Sequence, residues 1–162
     1  MVHENGCDYW LVAKEVDNSV WRSYPVTSAG VGAISVVSNV GPVIPVAYGS
    51  IKGSPDSDVI GIANGQAGLQ MYDFNRLTGQ LTYRYGESAL GISYYSLEYS
   101  PSGRYLYYTR LSDPNIYQVD LATTTQAAFQ ASRTVIGTTA NTAHYYLLGA
   151  LQLAPNGRIY LA

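Results

Sequence analysis

"YSPSGRYLYYT", residues 99–109, is a phrase that the chain writes three times. Residues 53–63 read "GSPDSDVIGIA" and residues 153–162 read "LAPNGRIYLA". Aligned on Pro55, Pro101 and Pro155, the copies stand 46 and 54 residues apart, a spacing that belongs to blade-like repeats. The flanks agree. Four residues before each proline stands an aliphatic residue (Ile51, Leu97, Leu151), and the next residue is polar (Lys52, Glu98, Gln152). Alternation with period two predicts a strand before each proline, with the aliphatic trio buried between sheets and the polar trio facing a channel or solvent.

The Pro-x-x turn then sends the chain back as a second strand: "DVIGIA", "RYLYYT" and "RIYLA". Proline fits because the chain leaves the ladder there and no N–H is missed. A third strand follows in two copies, "GLQMYDFN" and "NIYQVDLA", and "RLTGQLTYRY" and "RTVIGTT" supply fourth strands. Near the N-terminus "DYWLVAK", "VWRSYPV" and "AISVVSN" enter the same cycle at its second strand. Residues 125–132, "TQAAFQAS", are the one helix candidate. The expectation is all-β: 13 strands forming about three blades of four-stranded antiparallel sheet in a partial β-propeller. The blade remnant spans 8–40, two blades span 47–86 and 94–140, and a further blade starts at 147–162.

Composition agrees with strands and turns: 16 Tyr, 16 Gly and only 12% charged residues in 162. Nine basic against eleven acidic residues leave no basic stripe to neutralise phosphates, which argues against nucleic acid as a partner. Cys7 is a lone thiol, and no Cys/His cluster has metal-ligand spacing. No apolar run approaches a membrane span.

The segments 94–121 and 150–162 resemble WD40-like and lactonase-like propeller repeats. Residues 7–31, "CDYWLVAKEVDNSVWRSYPVTSAGV", and the Asp-Phe-x-x-x-Thr-Gly pattern at Asp73–Gly79 are similar to propellers in large surface proteins of gliding bacteria, which use type IX secretion. The resemblance implies an extracellular or cell-surface location and a binding or scaffold role; no cofactor is expected.

Several side chains are candidates for a site. Lys52, Glu98 and Gln152 recur on successive inner strands, either as ligands lining a channel or as partners of one another. Tyr48, Tyr94 and Tyr95, with His144, Tyr145 and Tyr146, precede inner strands and should lie in loops at the channel mouth. There they would stack on sugar or grip a peptide, or else pack between blades. His144 has no acid or nucleophile beside it in sequence, so it makes no catalytic set. Asp73 and Asp120 recur 18 and 19 residues after a proline, which suits acids that accept hydrogen bonds from turn amides better than metal ligands. "Asp56-Ser57-Asp58" lacks the glycine and distal glutamate of a calcium loop.

These observations favour a non-enzymatic module that binds protein or carbohydrate. The alternatives are a lactonase-like hydrolase or a purely structural array element. Open blade ends expose strand edges, so the expectation includes a longer chain or self-association to cover them.

Overall fold

The computed structural model describes residues 1–89, 91–111, 113–139 and 148–162. Four antiparallel sheets follow one another along the chain. The first holds β1 (Tyr9–Lys14), β2 (Val20–Thr27), the two-residue β3 (Gly30–Val31) and β4 (Val36–Asn39), with β2 in the middle. The second runs in order β5 (Gly49–Gly53), β6 (Val59–Asn64), β7 (Gly68–Phe74), β8 (Leu81–Glu87). The third repeats that order with β9 (Tyr94–Tyr99), β10 (Tyr105–Arg110), β11 (Asn115–Asp120) and β12 (Thr134–Thr138). A hairpin of β13 (Leu151–Leu153) and β14 (Ile159–Leu161) forms the fourth. The described strands number 14 rather than the expected 13, because Gly30–Val31 pairs separately with β2.

The helix candidate is a helix. In α1 (Gln126–Ala131) the Thr125 hydroxyl accepts from the Ala128 N–H at 3.2 Å, and buried Phe129 lies 4.5 Å from the Tyr85 ring.

The repeated phrase is one turn built four times. Ser54, Ser100 and Ala154 each donate their N–H across the hairpin, to Val59, Tyr105 and Arg158, and each accepts from the residue three further on. That residue has positive φ: Ser57 (65°), Gly103 (72°) and Gly157 (76°). A fourth copy carries no proline. His3 N–H donates to the Asp8 carbonyl at 2.9 Å, and Gly6 (φ 71°) donates to the His3 carbonyl at 3.0 Å. Met1 and Val2 are therefore the end of the first sheet's inner strand, at the positions that Lys52 and Gly53 hold in the second. Met1 exchanges two hydrogen bonds with Trp10, at 2.8 and 3.1 Å.

The second sheet is buried on both faces, and its side chains divide with period two. Ile60, Ile62, Tyr72, Phe74 and Leu81 join Trp10 and Trp21 of the first sheet. Ala63, Leu69, Met71 and Tyr85 join Leu97, Tyr99, Leu106 and Tyr108 of the third. Trp10 lies over Gly79, where a Cβ would come within 2.7 Å of its ring. The Asn75 side chain holds that turn by accepting from Leu77 and Thr78, each at 3.0 Å. No described helix is long and apolar enough to cross a membrane.

The expected burial of the aliphatic trio needs one correction. Leu97 and Leu151 are buried as expected, but Ile51 is 42% exposed. It pairs with Ile62, which faces the first sheet. On that side the described residues of the first sheet leave Ile51 uncovered.

Candidate functional site

The inner strands β5, β9 and β13 pack side by side, so their equivalent polar residues meet. The Lys52 ammonium pairs with the Glu98 carboxylate, donates to the Leu151 carbonyl at 2.8 Å and reaches Gln152 Oε1 at 3.4 Å. Glu98, expected to face a channel or solvent, is instead buried, where it pairs with Lys52 and accepts from the Leu153 N–H at 2.8 Å and from its own neighbour Tyr99 at 3.0 Å. The three polar residues satisfy one another and tie three inner strands together.

The inner strands also share a smaller device. The Leu97 N–H donates to Ser50 Oγ at 3.0 Å, and the Leu151 N–H donates to Ser96 Oγ at 2.8 Å. Each aliphatic residue thus hangs from a hydroxyl on the preceding inner strand. In the second sheet the equivalent N–H is that of Ile51, and it meets no partner among the described residues.

The tyrosines divide. Tyr48 is 42% exposed and lines a groove of about 230 Å³ with Lys14, Val16, Ile44 and Ile51. Tyr94 is not in a loop: it opens β9, is 2% exposed, and so has no face free for a ligand. Tyr95 follows it in the same strand, half-buried. His144, Tyr145 and Tyr146 lie outside the described residues.

Tyr94 instead belongs to a buried cluster that sequence reading missed. The Arg110 guanidinium lies 4.9, 5.5 and 4.4 Å from the rings of Tyr94, Tyr108 and Tyr117. It faces Glu87 at 3.5 Å and Asp113 at 3.7 Å. Tyr94 donates to Glu87 Oε2 at 2.7 Å, Tyr117 donates to Asp113 at 2.7 Å, and Arg133 reaches Glu87 at 3.3 Å. Burial first, and then the Glu87 charge, pushes the Tyr94 and Tyr108 hydroxyls above the ordinary phenol range. The available signal was Tyr108 and Arg110 recurring with period two on one strand, but Glu87 and Arg133 come from other elements. The cluster fills its own space and joins the second sheet to the third.

The recurrent aspartates act as charge partners. Asp120 accepts from the Ala122 turn amide at 2.9 Å and from Arg104 at 3.0 Å, while Asp73 faces Arg84 at 3.4 Å. In the "Asp56-Ser57-Asp58" turn, Asp56 accepts from Asp58 N–H at 3.2 Å. Among the described residues, no three His, Cys, Asp or Glu side chains converge to hold a metal.

Two sheet faces carry exposed apolar side chains. On the first sheet Tyr9, Leu11, Val31 and Val37 point away from the second. At the other end, exposed Ile136, half-buried Tyr107, Ile116, Ile159 and Leu161, and buried Leu151 line a groove of about 350 Å³ between the third sheet and the β13–β14 hairpin.

No family model matches the chain, and no curated protein matches it. Solved structures do. The β-propeller domain of Cps50 (Swd1) from Myceliophteria thermophila is 9% identical with a TM-score of 0.58, over 93% of this chain and 44% of that one. A putative 6-phosphogluconolactonase from Bacteroides uniformis is 13% identical with a TM-score of 0.60, over 100% and 46%. Another from Bacteroides fragilis is 18% identical with a TM-score of 0.58, over 84% and 36%. The chain thus spans about half or less of the length of these structures. At such identities the likeness speaks for the fold, and the fold is a partial β-propeller.

Proposed function

We propose that the chain is a non-enzymatic binding or scaffold module. The observation that carries this reading is the state of the inner-strand polar residues. Lys52, Glu98 and Gln152 hydrogen-bond to one another and to inner-strand backbone, so they serve to join blades rather than to meet a substrate. The WD40-like neighbour supports a protein partner. The resemblance of residues 7–31 and 73–79 supports a secreted or cell-surface location, and the apolar sheet faces at both ends call for cover by further chain or by a second copy.

The lactonase-like neighbours make hydrolysis the reading to test against. The protein should show no turnover of sugar lactones, glycosides or esters with calcium or zinc present. Turnover abolished by Glu98→Ala, in a variant that keeps the wild-type circular dichroism spectrum, would reverse the proposal. Light scattering should show self-association or partner capture, and a monomer stable at high concentration would remove the need for cover.

A further inference from the structure

The outermost strand of the second sheet, β8, is closed along its free edge by side chains from its neighbours. At one end the Leu81 N–H donates to Ser38 Oγ of β4 at 2.9 Å. At the other, the Gly86 N–H donates to Gln126 Oε1 at 2.9 Å, and the Gln126 amide donates back to the Gly86 carbonyl. A carboxamide carries the donor and acceptor of a peptide group. Those two bonds are the pair that one residue of an adjoining antiparallel strand would exchange with Gly86. Between the ends the ladder to β7 slips at Met71/Tyr72, and Arg84 faces Asp73 at 3.4 Å. A bulge and an edge charge both discourage pairing there. Gln126 opens α1, and the segment 123–133 grips three consecutive residues of β8. The Tyr85 hydroxyl donates to the Thr123 carbonyl at 3.1 Å, and its ring lies 4.5 Å from that of Phe129. Arg133 reaches Glu87 at 3.3 Å. A helix of six residues has too few internal bonds to stand alone, so these contacts hold it in place.

We propose that the β8 edge is a strand-pairing surface that α1 keeps closed, and that its partner when α1 lifts is β8 of a second copy of this chain. The strand suits pairing. Its sequence, "LTYRYGE", is rich in Tyr and Thr, and Gly86 has no side chain to hinder an approaching backbone. Gly86 would give an incoming strand the two bonds that it now gives Gln126. A second β8 is the fitting partner because it carries the same Gly86 edge, so pairing satisfies both copies at once. The slip and Arg84 weaken pairing midway, which leaves Gly86 as the point that α1 has to cover. The cover is light enough to lift: Gln126 stands at the surface, and Phe129 is the helix's one buried side chain.

The test follows the Gly86 amide by hydrogen exchange and titrates a labelled peptide of residues 81–87 into the 162-residue protein, held dilute. Gln126→Ala puts a strong helix former at a surface position, so the variant should fold, and its unfolding midpoint checks this. In that variant Gly86 exchange should quicken about tenfold or more, and the peptide should bind at least about tenfold more tightly than to the wild type. Gln126→Glu keeps the size of the side chain but at neutral pH cannot donate to the Gly86 carbonyl, so it should behave like the alanine variant. A peptide N-methylated at its glycine should lose the gain. Unchanged Gly86 exchange in both variants overturns the closing role of Gln126. Equal peptide binding to wild type and variants, or binding to none of them, overturns the covered surface. Equal binding of the N-methyl peptide overturns strand pairing.

Discussion

Lys52 and Glu98 hold the same position on neighbouring inner strands and bond to each other there. The carboxylate is the more buried partner, at 7% side-chain exposure against 22% for the lysine. The two ends of the pair should therefore differ in cost. Glu98→Ala strands the ammonium and the Leu153 N–H together, and we expect a loss of about 2–4 kcal/mol. Lys52→Met leaves Glu98 with two backbone donors and should cost about 1–2 kcal/mol. The double variant should cost less than the sum, by about 1 kcal/mol. Urea midpoints at unchanged slope measure all three. Strict additivity would show that the pair contributes nothing.

Arg110 gives a sharper contrast, because its charge is nearly out of water. Arg110→Ala removes the charge that faces both Glu87 and Asp113 and leaves a void among three tyrosine rings, with an expected loss of about 3–5 kcal/mol. Arg110→Lys keeps the charge but loses the flat guanidinium that lies over three tyrosine rings, so it should still cost more than about 1 kcal/mol. Wild-type stability in the lysine variant would reduce the cluster to a point charge.

The repeat was legible because a hairpin turn is a local event. Proline, small polar residues and glycine sit together in sequence, so three of the four turns could be read directly. The fourth, at His3–Gly6, escaped because it lacks proline, and with it went the assignment of Met1–Val2 as an inner strand. The period-two pattern gave Ile51 the right face, while its burial depends on what packs against it from another blade, which no local pattern reports. The site followed the same rule. Lys52, Glu98 and Gln152 were legible through their equivalence in the repeat, whereas the Arg110 cluster draws on β8, β9, β10, β11 and the segment before β12. No spacing along the chain reports such a meeting.

Alkaline titration should separate the tyrosines. Burial is the first cause raising Tyr72, Tyr94, Tyr99 and Tyr108 above the ordinary phenol range. A group whose folded pKa is raised contributes its full stability below the unfolded value, here about 10, and that stability is lost as pH climbs towards the folded value. The unfolding midpoint should therefore fall above about pH 10. Tyrosinate absorbance should show at least four of the 16 tyrosines silent until the protein unfolds. All 16 ionising in a folded protein would contradict the burial.

The turn residues allow a conformational effect to be measured almost alone. At Gly103 (φ 72°) an added Cβ would meet only the Pro55 Cδ, at an unstrained 3.6 Å, and at Gly157 (φ 76°) it would meet nothing within 4 Å. Gly103→Ala and Gly157→Ala should therefore each cost about 1–2 kcal/mol, the penalty of the left-handed region for a side chain. Ser57 stands at the same position with φ 65° and already carries that penalty. Its hydroxyl accepts from the Val2 N–H at 3.1 Å, tying the second sheet's turn to the inner strand of the first. Ser57→Gly relieves the backbone and loses that bond, worth about 0.5–1.5 kcal/mol, so the two effects nearly cancel. Ser57→Ala keeps the strain and loses the bond, and it should be the worse of the two by about 1 kcal/mol. Thermal or urea midpoints of the four variants decide the matter: if Ser57→Gly is as damaging as Ser57→Ala, the bond to Val2 dominates and the backbone there is unstrained.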